Sequence, residues 1–245
     1  MRIVALLQAR NEERYLPGWL QNISESVDGI IALDDGSTDA TADMLRASPK
    51  LVELMVNDGD QPWSERANQI ALVEASRRHG ADWALCLDAD ERLELRFTDQ
   101  LASALDMAEA RGKTAFLFSV CELWDDPEMY RVDGVWSMKN ICRLFKNDAS
   151  HRRFDPRPWH RFWPPLEVIA ELNTRAVCAG DRLYHLRMIR SEDRIARVAR
   201  YEAIDPDHRF QRIGYRYLID DTGIELESVA RERRYVPVER AESGK

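Results

Sequence analysis

Leu85-Cys86-Leu87-Asp88-Ala89-Asp90-Glu91-Arg92 is the stretch on which the fold of this chain turns. Trp83 to Leu87 is a short apolar run, which reads as a buried strand. Polarity flips within one residue, and Asp88, Asp90 and Glu91 fall where a parallel strand would end. Ligands of open α/β sheets bind outside the carboxyl ends of the strands. In an extended segment, residues two apart leave the same face, so Asp88 and Asp90 are expected to converge. Two converging carboxylates repel unless a cation sits between them. Hard oxygen donors of this kind suit Mg²⁺ or Mn²⁺, with phosphate completing the shell. An acidic turn after a strand is the plainer alternative for these residues.

The segments upstream repeat the pattern. Arg2 to Leu7 reads as a first strand, ending in the polar loop Gln8-Ala9-Arg10-Asn11-Glu12-Glu13. Pro17 is tolerated in the first turn of the helix that follows, and Trp19, Leu20 and Ile23 give that helix an apolar stripe. Gly29 to Leu33 is the second strand and runs into Asp34-Asp35-Gly36-Ser37-Thr38-Asp39-Ala40-Thr41. A turn and helix cap would account for Ser37, Thr38 and Asp39, but not for two aspartates at the strand end. Helix continues over Asp43 to Ala47, and Leu51 to Val56 is the third strand. A long helix covers Gln61 to His79, starting near Pro62 or Ser64, with Arg66 and Asn68 close to its amino end. Strands alternating with helices imply parallel β-α-β units. Three successive strand ends carry polar clusters, Arg10-Asn11, Asp34-Asp35 and Asp88-Asp90, which points to one shared site.

Downstream the pattern changes. A helix is expected over Asp99 to Arg111 and a fifth strand over Ala115 to Val120. Leu123 to Lys146, including Asn140 to Phe145, reads as antiparallel β structure. The segment 152–165 interleaves arginines with Phe154, Trp159, Phe162 and Trp163, and its four prolines forbid regular structure. It is expected to be a mobile flap over the site, with a packed proline-rich loop as the alternative. Arg182 to Leu186 returns as a strand ending at His185, and Ser191 is expected to cap a helix through Ala203. Residues from about Val238 onward read as a disordered tail.

Composition narrows the function classes. Hydrophobic residues make up 44% and charged residues 32%, which fits a globular chain with a sizeable core. A net charge of −8 argues against a broad nucleic-acid surface. Cys86, Cys121, Cys142 and Cys178 form no C-x-x-C, so reduced thiols and a cytoplasmic location are expected. No stretch approaches the roughly 18 apolar residues that cross a bilayer, so no transmembrane segment is expected.

Taken together, the motifs resemble those of a family-2 glycosyltransferase with the GT-A fold, of the soluble bacterial type. The residues that carry the resemblance are Ala9-Arg10-Asn11-Glu12-Glu13, Asp34 to Thr41, Arg66-Ala67-Asn68 and Leu87-Asp88-Ala89-Asp90-Glu91, in matching order and spacing across residues 1 to about 120. Weaker matches follow at Tyr184-His185-Leu186, Glu192-Asp193-Arg194, Arg200-Tyr201 and Asp205-Pro206-Asp207.

The resemblance implies a Rossmann-like α/β fold with a mixed central sheet and a C-terminal helical extension. It would divide into a catalytic domain over 1–190, a helical extension over 191–237 and a tail over 238–245. Within the first, 1–120 would hold the nucleotide-sugar and 121–190 the acceptor. The implied activity is metal-dependent transfer of a sugar from a nucleotide-diphospho-sugar, most simply a UDP-sugar, to a sugar, lipid-linked or small-molecule acceptor. The cofactor is a divalent cation, Mn²⁺ or Mg²⁺. Ala9, Arg10, Asn11, Glu12, Asp34, Asp35, Arg66, Asp88 and Ala89 would contact the nucleotide. Asp88, Asp90 and His185 would hold the metal, although His185 has a structural role as its plain alternative.

The chain departs from the family pattern in two respects. It lacks the Q-x-x-R-W motif of processive synthases, so a single-addition enzyme is expected; inverting transfer is a separate expectation from the resemblance. The usual acidic base precedes the terminal histidine, whereas Glu192-Asp193 follows His185. Glu167 has the expected order and is the first candidate base, with His160 second. The competing readings are an aspartyl-phosphate phosphatase, which would not have Glu91 after the second aspartate, and a nucleotidyltransferase, which needs a Gly-rich basic loop after the first strand. A third is a nucleotide-sugar or carbohydrate-binding module of the same fold without turnover.

Overall fold

A computed structural model describes residues 1–57, 64–157, 162–178 and 180–238. The chain runs β1 (Ile3–Ala9), α1 (Leu16–Ile23), β2 (Gly29–Asp34), α2 (Thr41–Ala47), β3 (Leu51–Val56), α3 (Glu65–Arg78) and β4 (Trp83–Cys86). The strands β1, β2 and β4 are buried along their whole length apart from Gln8 in β1, as parallel strands covered on both faces must be. β1 pairs in parallel with β2 on one side and β4 on the other, and β2 with β3. The carboxyl ends of β1, β2 and β4 therefore share one edge, as the three polar clusters require.

The second half completes a mixed sheet. It contains β5 (Glu91–Leu93), α4 (Leu95–Thr98), α5 (Leu101–Ala110), β6 (Ala115–Glu122), β7 (Met129–Arg131), β8 (Asn140–Lys146), α6 (Leu166–Arg175), β9 (Ala176–Val177), β10 (Arg182–His185), α7 (Ser191–Ile204) and β11 (Leu226–Ser228). Among the described residues the main sheet has the order β3-β2-β1-β4-β8-β6-β10-β5, with β9 beside β6. β8 runs antiparallel to both β4 and β6, which makes the sheet mixed as expected. Leu7, Trp19, Leu85, Phe116 and Leu144 pack one face of it, and Leu6, Leu72, Cys86 and Phe145 the other.

The structure corrects several local expectations. Glu91 to Leu93, where no strand is expected from the sequence, is a strand paired with β10. The long helix has Ser64 as its N-cap, one of the two expected starts, with its hydroxyl accepting the Ala67 amide at 3.2 Å, while Gln61 and Pro62 lie outside the described residues. Proline does end regular structure before 165, but a helix, α6, follows at once, with Pro165 at its N-cap position. Ser191 is the first residue of α7 rather than its cap, and Arg190 holds the cap position without a side-chain bond.

The 191–237 segment contains one long helix, then short 3₁₀ turns and β11, which pairs with β7. It returns to the core through Tyr235, stacked on Tyr184 at 4.6 Å between ring centroids. Trp159, His160 and most of the tail lie outside the described residues. No helix among the described residues is long and apolar enough to cross a membrane.

Candidate active site

The loop after β1 and the loop after β2 clasp each other. Asn11 takes a left-handed backbone, φ +55°, which asparagine tolerates better than most residues. Its amide donates to Ser37 Oγ at 2.9 Å, and its Oδ1 accepts the Thr38 amide at 2.8 Å. The Glu12 amide donates to Thr41 Oγ1 at 2.7 Å. Asn11, expected to touch nucleotide, is thus committed to joining the two loops. Ser37, Asp39 and Thr41 serve the same junction rather than a simple helix cap.

Behind this clasp lies a set of buried polar atoms. Asp34 is 2% exposed; its Oδ2 accepts the Ser37 amide at 3.3 Å, and its Oδ1 has no partner among the described residues. Asp35 Oδ1 accepts from Asn57 Nδ2, which also donates to Asn68 Oδ1. Asp35 Oδ2, Asn68 Nδ2 and Gln69 Oε1 are likewise buried and unpartnered. Buried polar groups almost always find partners. Three acceptors and one amide donor are left open together, and of these residues Gln69 lines the cleft described below. Asn57 and Gln69 were not singled out from sequence, since neither belongs to a strand-end motif. Arg66, by contrast, is exposed on the first turn of α3 and does not line the cleft.

The Asp88–Asp90 segment is a turn, not an extended strand end. The Glu91 amide donates to the Asp88 carbonyl at 2.9 Å, so the two aspartates enter different surroundings. Asp88 keeps 46% of its side chain exposed, while the Asp90 side chain is 8% exposed. Beneath the turn lies Arg92, fully buried, donating to the carbonyls of Ala89 at 2.7 Å, Glu91 at 2.8 Å and Tyr15 at 2.5 Å. Gly18 of α1 makes room for it, because a Cβ there would stand 2.9 Å from Arg92 Nη2.

Protein cations neutralise the acidic cluster. Arg143, on β8, donates to both Glu91 oxygens and, at 3.2 Å, to Asp88 Oδ2. Asp90 Oδ2 receives Arg187 Nε at 2.7 Å and His185 Nε2 at 3.1 Å. Arg187 Nη2 reaches both oxygens of Glu12 at 2.7 Å, tying the first strand end to the third. His185 Nδ1 meets Glu122 Oε2 at 2.5 Å, and Lys139 stands 3.4 Å from Glu122 Oε1. Burial works against charge on His185, but Glu122 and Asp90 lift it to about 10. Burial alone would raise the Asp90 carboxyl; Arg187 and then His185 hold it well below the usual carboxylate range.

These groups line a cleft of about 740 Å³ together with Ala9, Arg10, Gln69, Ala89, Phe162 and Trp163. Helix α7 forms one wall, presenting Asp193, Ala196, Arg197, Arg200 and Ile204 at helical spacing. Glu167 is not part of the lining. It sits in the first turn of α6, where Arg153 Nε donates to it at 3.0 Å and the Arg152 and Arg153 amides cap it further. The base expected at Glu167 is therefore committed to a loop contact, and His160 lies outside the described residues. Of the acidic pair Glu192-Asp193, Asp193 does line the cleft, held by Arg14 Nη1 at 2.8 Å and the Tyr15 hydroxyl at 3.0 Å. Arg143, Arg187, Arg197, Glu122 and Lys139 were missed by sequence reading, because they lie outside the motifs and reach the cleft only through the pairing of β6, β8 and β10.

His185, expected to hold the metal, stands between Asp90 and Glu122 within hydrogen-bond distance of a carboxylate oxygen on each side. Among the described residues no group of three or more His, Cys, Asp or Glu side chains gathers in metal-holding geometry. The carboxylate pair itself does suit a hard cation. Both cationic partners of Asp90 fall on Oδ2, leaving Oδ1 without one among the described residues, and Asp88 is half open.

Known structures share this architecture. TarS of S. aureus superposes with a TM-score of 0.52 at 12% identity, over 87% of this chain and 44% of TarS. A mannosyltransferase from Pyrobaculum calidifontis, solved with GDP-Man and Mn²⁺, gives a TM-score of 0.52 at 16% identity, over 89% of this chain and 72% of the enzyme. The chain has the GT-A fold, the fold of nucleotide-sugar glycosyltransferases. In sequence it is 29% identical over 217 residues to an uncharacterized protein of Mycobacterium tuberculosis, covering 86% of this chain and 52% of that protein. It is 38% identical over 151 residues to a TPR repeat-containing protein of Synechococcus elongatus, covering 62% of this chain and 32% of that protein. The chain thus spans about half the length of the mycobacterial relative and a third of the cyanobacterial one. No family model matches it.

Proposed function

We propose that this protein transfers a sugar from a nucleotide-diphospho-sugar to an acceptor hydroxyl. The observation that carries the reading is the meeting of two strand ends on one cleft, Arg10 and Glu12 after β1 and the Asp88/Asp90 turn after β4, together with Gln69 of α3, while the open acceptors of Asp34 and Asp35 are buried at the end of β2. Asp34 and Asp35, with Gln69 and Asn68, supply hydrogen bonds to the base and ribose of the donor. Arg10, exposed beside them, faces its phosphates.

Asp88 and Asp90 Oδ1 are the residues that would hold a divalent cation, Mn²⁺ or Mg²⁺. When bound, such an ion stabilises charge on a departing diphosphate as a Lewis acid. The protein's own cations work toward the same end: Arg187 and Arg143 fix the carboxylates and keep the turn positively compensated. His185, beside Asp90 and backed by Glu122, is the third residue that would complete the shell of such an ion.

Asp193 is the carboxylate placed to take the acceptor's proton. It lines the cleft, its side chain is 27% exposed, and Arg14 and Tyr15 hold it from behind. A single base of this kind matches an inverting, single-addition transfer, with the acceptor bound between residues 121–190 and α7. The test is donor turnover: incubation with a panel of UDP- and GDP-sugars and Mn²⁺, without acceptor, followed by assay of released nucleoside diphosphate. Slow release from one donor, lost in Asp90→Asn, is the expected result. Tight binding of a donor with no release under any condition would make the protein a binding module instead.

A further inference from the structure

Almost every charge in the cleft has an opposite partner. Glu12 and Asp90 are matched by Arg187, Glu91 and Asp88 by Arg143, Glu122 by His185 and Lys139, and Asp193 by Arg14. Arg197 is the exception on the α7 wall. Its Nε donates to the Tyr201 hydroxyl at 3.1 Å, and its Nη1 lies 3.9 Å from Met188 Sδ. Neither a phenol nor a thioether neutralises a guanidinium. Among the described residues no carboxylate comes within ion-pair distance of it. Asp90 and Glu122 act on Arg197 from beyond that distance and favour its charge, but none of its donors meets a carboxylate directly, and guanidinium matches phosphate and carboxylate in shape as well as charge.

The topology indicates which ligand. The open polar groups proposed for a nucleotide lie at the end of β2 and on α3, on one side of β4. Arg197 lies on the helix that follows β10, and β8, β6 and β10 lie on the other side of β4. We infer that Arg197 is a binding residue for an anionic group, phosphate or carboxylate, carried by the acceptor. The acceptor class is then a hydroxyl compound bearing a negative charge. The Tyr201 hydroxyl orients the guanidinium, leaving Nη2 to face the cleft.

This inference rests on the glycosyl-transfer reading, so its test is kept separate from activity. Calorimetry measures UDP binding in the presence of Mn²⁺, and then inorganic phosphate binding to the protein saturated with UDP. Phosphate is expected to bind the UDP complex. In Arg197→Gln its affinity should fall about ten- to a hundredfold while UDP affinity changes less than about twofold, as loss of one charged hydrogen-bonding group predicts. Three results would overturn the inference: phosphate failing to bind the UDP complex, phosphate binding unchanged in the variant, or UDP affinity falling in step with phosphate. The last would assign the arginine to the donor's diphosphate. Should Arg197→Gln not fold, Arg197→Lys decides: weaker phosphate with unchanged UDP supports the site, and unchanged phosphate or weakened UDP refutes it. A wild type that binds no nucleotide at all would instead refute glycosyl transfer itself.

Discussion

Replacing Arg187 by methionine removes the cation that joins the first and third strand ends while keeping most of the side chain's apolar length. Three contacts of 2.7 Å are lost, one to Asp90 and two to Glu12. Taking one partner from a buried pair costs about 3–5 kcal/mol. Two features of the site reduce this. Asp90 keeps His185, and Glu12 has an escape, since burial already pushes its carboxyl up to about 7 against Arg187, and it can take a proton. The Arg187 side chain is also 28% exposed, so some of its attraction is screened. A loss of about 2–3 kcal/mol remains after those discounts. For a chain of this size each kcal/mol moves the melting temperature by about 2–4 °C, which predicts a drop of about 4–12 °C. Mn²⁺ should raise the melting temperature of the variant more than that of the wild type, because the ion replaces missing positive charge beside Asp90. Differential scanning calorimetry with and without Mn²⁺ reads both effects. A drop below about 2 °C would mean that Arg187 is no more than a surface pair of the weak kind, and the network described here would be wrong.

Three further substitutions follow from the site and its supports. Asp193→Asn should lower transfer by about 10²–10⁴-fold, as loss of a general base does, with UDP affinity unchanged in calorimetry; normal turnover would remove Asp193 from catalysis. Asp34→Ala should weaken donor binding by about 1.5–3 kcal/mol, roughly one to two powers of ten, with little change in melting temperature; undiminished affinity would reduce Asp34 to part of a turn. Gly18→Ala adds about 1 kcal/mol of helix propensity but sets a Cβ 2.9 Å from Arg92 Nη2 and 3.2 Å from the Pro237 carbonyl, so a net loss in urea unfolding is expected from overpacking; a more stable variant would show that Arg92 has slack.

The first four strands were legible because their signals are local. Apolar runs of five or six residues that end abruptly in Asp or Arg state both the strand and its functional end, and β1, β2, β3 and β4 lie where those runs lie. The site's second half depends on pairings between distant segments. Nothing in the sequence around Arg143 says that β8 inserts between β4 and β6, yet that insertion brings its guanidinium to Glu91. His185 was legible as a residue at a strand end, but its role depends on Glu122 from the neighbouring strand, in register with it across β6 and β10. Glu167 was chosen by its order along the chain, and order does not report that α6 turns it toward Arg153. The turn at Asp88–Glu91 was mistaken for extended backbone because alternation reads the same in both until a hydrogen bond closes the turn.

Calorimetric titration of UDP and of GDP into the wild type and into Asp90→Asn, each with and without Mn²⁺, tests the central claim most directly. Saturable binding of at least one nucleotide, strengthened by Mn²⁺ in the wild type but not in Asp90→Asn, is the predicted result. Absence of binding by both nucleotides, or binding whose Mn²⁺ dependence survives Asp90→Asn unchanged, would contradict the assignment of this cleft to a nucleotide-diphospho-sugar.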